Sequence, residues 1–302
     1  MKVTILGSNS ASPAHDRHPS SQILDVENDY YMIDCGEGTQ FQLNKYQVAR
    51  SRIRAIFISH LHGDHYLGLL GLLTTMSMSN REEPLSVIGP KGLKEIIELQ
   101  CMYSKTILRF EITYTVFEAN ESSIIYEDNK VKVTTIPLMH KVDTSGYLFQ
   151  EQPKKRNIIK DKIVEFQIPI EKISGIKNGD DLMLENGQII ANHELTTAPQ
   201  KPKSFAYCSD TMYHEPIIPI VEGVDMLYHE ATFLEKEIER AEFTKHSTTK
   251  DAATIAQKAK VHKLMIGHYS SRYPDLSLLL SETKHYFDNT LLAVEGETYE
   301  VR

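Results

Sequence analysis

The chain has 302 residues, of which 41% are hydrophobic and 25% charged, with a formal net charge of −8 at pH 7. That balance is ordinary for a globular chain with a large core, so one domain spanning residues 1–302 is expected rather than a disordered or fibrous protein. A negative total excludes holding a polyanion by global attraction, and the apolar stretch at residues 66–73 is far shorter than the roughly 18 residues of a membrane span.

Residues 3–6, 22–26 and 30–33 read as strands, the last two joined into a hairpin by a Glu27-Asn28-Asp29 turn. An apolar run over residues 53–58 then leads into His60-Leu61-His62-Gly63-Asp64-His65, three imidazoles and one carboxylate within six residues. A buried strand ending in such a loop places nitrogen and oxygen donors at the carboxyl edge of a sheet, where α/β folds build sites. Imidazole with carboxylate suits zinc better than calcium or magnesium, whose ligands are oxygens. Gly63 is expected to allow the tight curl that turns Asp64 and His65 inward together. The plainer alternative is a surface loop that happens to be rich in histidine.

Residues 85–88 form a further predicted strand, followed through Gly89-Pro90 by an amphipathic helix with Leu93, Ile96, Ile97 and Leu99 on its apolar side. Single donors then follow strand-like segments: His140 after 131–136, Asp210 after 205–209 and His268 after 263–267. Taken singly, each is an ordinary cap or a satisfied core group. Their common placement at strand ends lets them converge with the loop on one edge of a sheet, with enough donors for a second metal. Residues 150–203 interrupt the alternation of strands and helices. Pro153-Lys154-Lys155-Arg156 and Pro199-Gln200-Lys201-Pro202-Lys203 flank a dense set of turn signals, Ser174-Gly175, Asn178-Gly179 and Asn186-Gly187, which reads as a protruding arm. By charge alone, the segment equally fits a solvated linker. Cys35, Cys101 and Cys208 lack metal-binding spacing and read as buried thiols in a reducing compartment. Lys2 precedes only a short strand-like stretch, so no secretory leader is expected.

The zinc-type loop with His140, Asp210 and His268 resembles the metallo-β-lactamase superfamily. Asp34-Cys35-Gly36-Glu37-Gly38-Thr39-Gln40, His229-Glu230-Ala231-Thr232 and His246-Ser247-Thr248 narrow the resemblance to the ribonuclease Z family, endonucleases that trim the 3′ end of precursor tRNA. Tyr66 departs from thioesterases of the glyoxalase II type, which usually carry another histidine there. His65 departs from β-lactamases proper, which usually replace it by a non-ligand. The resemblance, which runs almost end to end, implies a four-layer αβ/βα sandwich with an inserted arm. It implies two zinc ions per subunit, one held by His60, His62 and His140, the other by Asp64, His65 and His268, with Asp210 bridging. Two such ions lower the pKa of an attacking water and clamp the oxygens of an in-line phosphoryl displacement.

By the same resemblance His246 is the general acid for the departing ribose oxygen and Glu230 orients it; Asp64 is a candidate catalytic residue that either accepts a proton from the attacking water or serves in coordination alone, two roles the sequence does not separate. Ser247 or Thr248 caps the helix that follows. The arm becomes an exosite for the body of tRNA, with Lys154, Lys155 and Arg156 at its basic start contacting phosphates. Arg17, Ser270 and Arg272 are further candidates for substrate contact. His15 and His18 stand where many bacterial members carry lysine and asparagine, and are read as solvated or RNA-facing. The expectation is a cytoplasmic homodimer acting on precursor tRNA, without membrane association. The alternatives are a general zinc phosphodiesterase or other hydrolase on this scaffold, and an RNA-binding or metal-storage protein without turnover.

Overall fold

In the computed structural model, which describes residues 1–302, the chain falls into two units, Met1–Glu151 with Lys203–Arg302, and Gln152–Pro202. The first unit opens with β1 (Lys2–Gly7), β2 (Ser21–Val26), β3 (Asp29–Cys35), β4 (Ile53–Phe57), β5 (Leu85–Gly89) and β6 (Ile112–Val116), and continues with β7 (Ile124–Glu127), β8 (Val131–Pro137) and β9 (Ser145–Glu151). The second unit holds four two-residue strands, β10 (Asn157–Ile158), β11 (Leu182–Met183), β12 (Ile189–Ile190) and β13 (Thr196–Thr197). The chain then returns to the first unit with β14 (Ser204–Cys208), β15 (Met226–Glu230), β16 (Leu264–Gly267), β17 (Thr290–Leu292) and β18 (Thr298–Glu300). Two seven-stranded sheets result, ordered β18-β1-β2-β3-β4-β5-β6 and β17-β16-β15-β14-β9-β8-β7. The helices are α1 (Thr39–Lys45), α2 (Gly63–Tyr66), α3 (Leu69–Met78), α4 (Leu93–Ser104), α5 (Lys160–Glu165), α6 (Ile170–Asn178), α7 (Asn192–Leu195), α8 (Ile238–Thr244), α9 (Thr249–Lys258) and α10 (Ser277–Tyr286).

Side chains alternate across each strand, so each sheet of the first unit buries two faces. Val3, Ile5, Leu24 and Phe57 of one sheet share a core with Val133, Phe149, Phe205 and Met265 of the other, and the Phe57 and Phe149 rings meet edge to face at 5.0 Å. On the outer faces, Met32, Ile56 and Val87 pack with Leu69, Leu73 and Ile97, and Leu227, Leu264 and Ile266 pack with Ala252, Ile255 and Leu279. The result is helix, sheet, sheet, helix, the four-layer αβ/βα sandwich. The second unit has its own small core of Ile168, Ile176, Leu182, Ile190 and Leu195.

Four local readings of the sequence need correction. The donor-bearing strands do not share a sheet: β4 lies in the first, while β8, β14 and β16 lie in the second. β8 is antiparallel to β9 and β9 to β14, and β14, β15 and β16 are mutually parallel, so β8, β14, β15 and β16 point the same way. The hairpin turn consists of Glu27 and Asn28 alone, both at positive φ (51° and 67°), because Val26 already pairs with Asp29; two left-handed central residues match the twist of the strands they join. In α4, Leu93 and Ile97 are buried but Leu99 is 52% exposed, since six positions carry it about two-thirds of a turn away from Leu93. Cys35 and Cys208 are buried, whereas Cys101 is only partly so. No helix is long and apolar enough to cross a membrane.

Candidate metal centre

Asp34, Asp210 and His268 all adopt left-handed backbone conformations, with φ of 57°, 50° and 58°. Such residues are uncommon outside glycine and cluster where a fold must aim a side chain. Here they stand at or just beyond the ends of β3, β14 and β16 and direct polar groups to one place. Gly63 works differently from the expectation. Its φ is not positive, and it opens α2, where an added Cβ would lie 2.7 Å from Leu67 Cδ1. Glycine there makes room for Leu67.

The seven donors named from the sequence meet as two adjoining groups, His60, His62, His140 and Asp210 in one, and Asp64, His65 and His268 in the other. His62 Nδ1 lies 3.0 Å from His60 Nε2 and 3.3 Å from His140 Nε2. Asp210 divides its two oxygens between the groups. Its Oδ2 is 3.5 Å from His60 Nε2 and 3.7 Å from His140 Nε2, and its Oδ1 is 3.2 Å from His65 Nε2 and 3.1 Å from His268 Nε2. Asp64 Oδ2 closes the second group at 3.4 Å from His65 Nε2 and 3.6 Å from His268 Nε2, and it also accepts the Ala11 N–H at 2.8 Å.

The far nitrogens of these rings are tied down by neighbours. His65 Nδ1 donates to Asp34 Oδ2 at 2.7 Å, and the same buried carboxylate accepts Ser59 N–H, Ser59 Oγ–H and, from the facing sheet, Tyr207 O–H. His140 Nδ1 donates to the Lys245 carbonyl at 2.9 Å. His268 Nδ1 donates to Thr232 Oγ1 at 3.0 Å. Fixing the outer N–H in this way leaves the inner Nε2 with its lone pair toward the cluster, the arrangement that tunes histidine for metal.

Two observations fit the donors to a metal ion. His65 Nε2 and His268 Nε2 are buried without an aligned hydrogen bond, although both sit near 3 Å from Asp210. They point into the shared centre rather than along the carboxylate. Burial lowers the pKa of His60, His62 and His140, keeping them neutral as ligands must be. Burial opposes ionisation of Asp210 and Asp64, but His268, His65 and His60 around the first, and His65 and His268 around the second, outweigh it and hold both carboxyls below their usual range. Burial likewise opposes charge on His65, and Asp210, Asp64 and Asp34 overcome it and push its pKa well up. The centre therefore favours positive charge, which suits a cation held by imidazole and carboxylate.

Glu230, fully buried at the end of β15, is saturated with donors. Oε1 accepts Thr211 N–H at 2.7 Å and His246 Nδ1–H at 2.8 Å, and Oε2 accepts Thr232 O–H at 2.6 Å and Ser247 N–H at 3.0 Å. Burial disfavours charge on His246, but Glu230 more than offsets it and raises the pKa to about 9. His246 stacks on His268, with ring centroids 5.3 Å apart, and lies 5.0 Å from the ring of His140. Thr248, not Ser247, is the helix cap, in a reciprocal capping box with Asp251, while Ser247 Oγ donates to the Thr211 carbonyl. A cavity of about 420 Å³ opens over His62, Asp64, Asp210, His246 and His268.

Arg17 spends Nε on Asn9 Oδ1 and Nη2 on the Tyr273 carbonyl, so its guanidinium joins two loops of the first unit. His15 is exposed and its Nε2 bonds the Ser271 carbonyl, while the half-buried His18 bonds Glu295 through Nδ1. Arg272 pairs with Glu237 at 3.4 Å, and Ser270 Oγ takes the Arg272 N–H. Lys154 and Lys155 are exposed in the second unit, where Arg156 Nε donates to Thr196 Oγ1 at 2.6 Å. Asp34, Thr232 and Ala11 received no role from the sequence. The departure of Asp34 from ordinary strand geometry is invisible in composition or periodicity.

Comparison with known proteins places this geometry in context. Residues 1–156 match the family model described as Anti-Pycsar protein Apyc1, a span that includes the ligand loop and His140 but stops before Asp210, Glu230, His246 and His268. The chain is 42% identical over 295 residues to Ribonuclease Z of Bacteroides fragilis, covering 98% of this chain and 97% of that protein. It is 46% identical over 301 residues to Ribonuclease Z of Cytophaga hutchinsonii, covering 99% and 96%. Among solved structures, human tRNase Z, short form, superposes with a TM-score of 0.71 at 24% identity over 100% of both chains. The metallo-β-lactamase fold protein YhfI from Bacillus subtilis gives 0.68 at 18% identity, covering 99% of each. Both show the same fold.

Proposed function

Because this chain belongs to the ribonuclease Z family it is an endoribonuclease of tRNA 3′ processing, and we propose that it removes the 3′ trailer of precursor tRNA at a two-zinc centre with His246 as the acid. His60, His62 and His140 would hold one ion and Asp64, His65 and His268 the other, with Asp210 shared. Zinc in such a donor set brings the pKa of a water down towards neutrality and offers positive charge to phosphate oxygens. The observation that supports the reading most is the division of Asp210, with one oxygen facing His60 and His140 and the other facing His65 and His268.

The chain's own groups handle the leaving group. The water oxygen, having lost one proton to solvent, forms the new bond to phosphorus, the bond from phosphorus to the ribose O3′ breaks, and the proton on His246 Nε2 passes to O3′. The tRNA keeps a 3′ hydroxyl and the trailer a 5′ phosphate. With its pKa raised to about 9, His246 carries that proton at neutral pH, and Glu230 holds Nδ1 so that Nε2 faces the cavity. The depressed pKa of Asp64 favours coordination over proton acceptance. Residues 152–202 serve as the exosite, with Lys154, Lys155 and Arg156 contacting phosphates. Arg17, Ser270 and Arg272 serve near the cut. We place the enzyme in the cytoplasm as a homodimer, a setting consistent with its free thiols.

The test is purified protein on precursor tRNA and on a small chromogenic phosphodiester, before and after chelation and with zinc restored. Cleavage of precursor at the tRNA 3′ end that is lost with chelation and regained with zinc is the expected result. Hydrolysis of the small diester with precursor untouched would instead favour a general phosphodiesterase.

A further inference from the structure

Beside the general acid lies a feature that the cleavage chemistry does not use. Phe243, in the last turn of α8, is 80% exposed, and Lys141 Nζ stands 5.5 Å from its ring centroid. Both are anchored to the centre through backbone. Lys141 directly follows His140, whose Nδ1 is bonded to the Lys245 carbonyl. Lys245 ends α8 in a left-handed turn (φ 63°) and leads into His246. Single exposed apolar residues are common, and what distinguishes Phe243 is its company. Lys141, Lys245 and Arg240 cluster in the same segments without a carboxylate partner. Lys245 Nζ reaches only Met212 Sδ, and Arg240 lies over the Phe233 ring. In a chain of net charge −8, an exposed aromatic ring with Lys141 against it, and two further cations in the adjoining segments, suits an anionic ligand with a flat face. Met139 and Val142, 42% and 41% exposed, lie in the same loop as Lys141. Glu239 and Glu242 on α8 are exposed as well, so the phosphate side must be that of Lys141 and Lys245.

Resting on the precursor-tRNA reading, we propose that Phe243 and Lys141 form a platform for the last nucleotide retained on the tRNA. Its base stacks on Phe243 and its 5′ phosphate faces Lys141. The side follows from chemistry: His246 protonates O3′ of that nucleotide, so the groups flanking His246 border the retained end rather than the trailer. Stacking on an aromatic ring tolerates any base, because every base has a π face.

The experiment crosses two changes. Phe243→Ala and Phe243→Trp enzymes, checked for metal content and thermal melting, are compared with the native enzyme on precursor tRNA. The substrate is either unmodified or abasic at the last retained position. Phe243→Ala should lower kcat/KM on the unmodified precursor by roughly 5- to 150-fold, the range for one stacked base. The abasic substrate should cost the native enzyme a similar factor, and the two together should cost little more. Phe243→Trp should stay near native, and Lys141→Met should reduce the salt slope of binding by about one phosphate contact. Losses that multiply, or a Phe243→Ala enzyme within about twofold of native on the unmodified precursor, would overturn the platform while leaving the ribonuclease reading intact. A native enzyme that ignores the unmodified precursor would remove both.

Discussion

Replacing Glu230 by glutamine tests how strongly the buried carboxylate holds the acid and the fold together. Each oxygen accepts two hydrogen bonds, one of them from a backbone N–H, of Thr211 at Oε1 and of Ser247 at Oε2. Whichever position the amide nitrogen takes, it turns a donor toward a backbone donor that cannot rotate away. An unsatisfied buried donor costs about 1–3 kcal/mol, and stripping one partner from a buried ion pair about 3–5 kcal/mol. The two costs overlap, so Glu230→Gln should destabilise the protein by about 3–5 kcal/mol, a large share of a typical total. The ionic part has a defined pH window. The pKa of His246 is raised in the folded state to about 9 from an unfolded value near 6.5, a change corresponding to about 3 kcal/mol. A raised pKa stabilises fully below the unfolded value and ceases to do so as pH rises through the folded one. Urea unfolding of metal-free native and Glu230→Gln protein should therefore show a wide gap at pH 6 that narrows by pH 9.5. Turnover of the zinc-loaded variant should fall by about 10²- to 10⁴-fold. Equal stabilities at pH 6, or a gap unchanged at pH 9.5, would refute the argument.

Four further outcomes follow from the same geometry. His246→Ala leaves Glu230 three of its four donors, so it should keep its metal and bind precursor tRNA while turnover falls by about 10²- to 10⁴-fold; near-native single-turnover rates would assign the acid elsewhere. Asp210→Ala should lower zinc content and abolish cleavage more severely than loss of one terminal ligand, because both groups lose a shared anion, and metal analysis with two tightly held ions would contradict this. Asp34→Ala frees His65 Nδ1 and should weaken zinc affinity by roughly 10- to 100-fold in a competition titration, whereas unchanged affinity would leave Asp34 a purely structural role. Replacing residues 153–201 by a short Gly/Ser linker should spare hydrolysis of a small phosphodiester but not of precursor tRNA, and should flatten the salt dependence of tRNA binding. Processing of precursor by the folded truncation at the native rate would reduce the segment to an ordinary loop.

The ligand loop is legible in the sequence because its chemistry is local, with four donors in six residues after an apolar strand. His140, Asp210 and His268 were visible as donors after strands, and Glu230 and His246 through motifs resembling a known family. Strand and helix placement followed from periodicity, which depends only on neighbours along the chain. Only the tertiary structure decided that the loop and the later donors come from two facing sheets and that Asp210 divides its oxygens between the two groups. It alone tied His65 to Asp34, which is bonded in turn to Tyr207, 173 residues away. Leu99 shows the same limit, since an apolar residue in an amphipathic pattern still faces solvent when the helix turns it away from the sheet. Residue type and spacing set which groups can donate, accept or coordinate. Which of them meet depends on chain reversals such as the left-handed residues Asp34, Asp210 and His268, whose strain only the surrounding packing can hold.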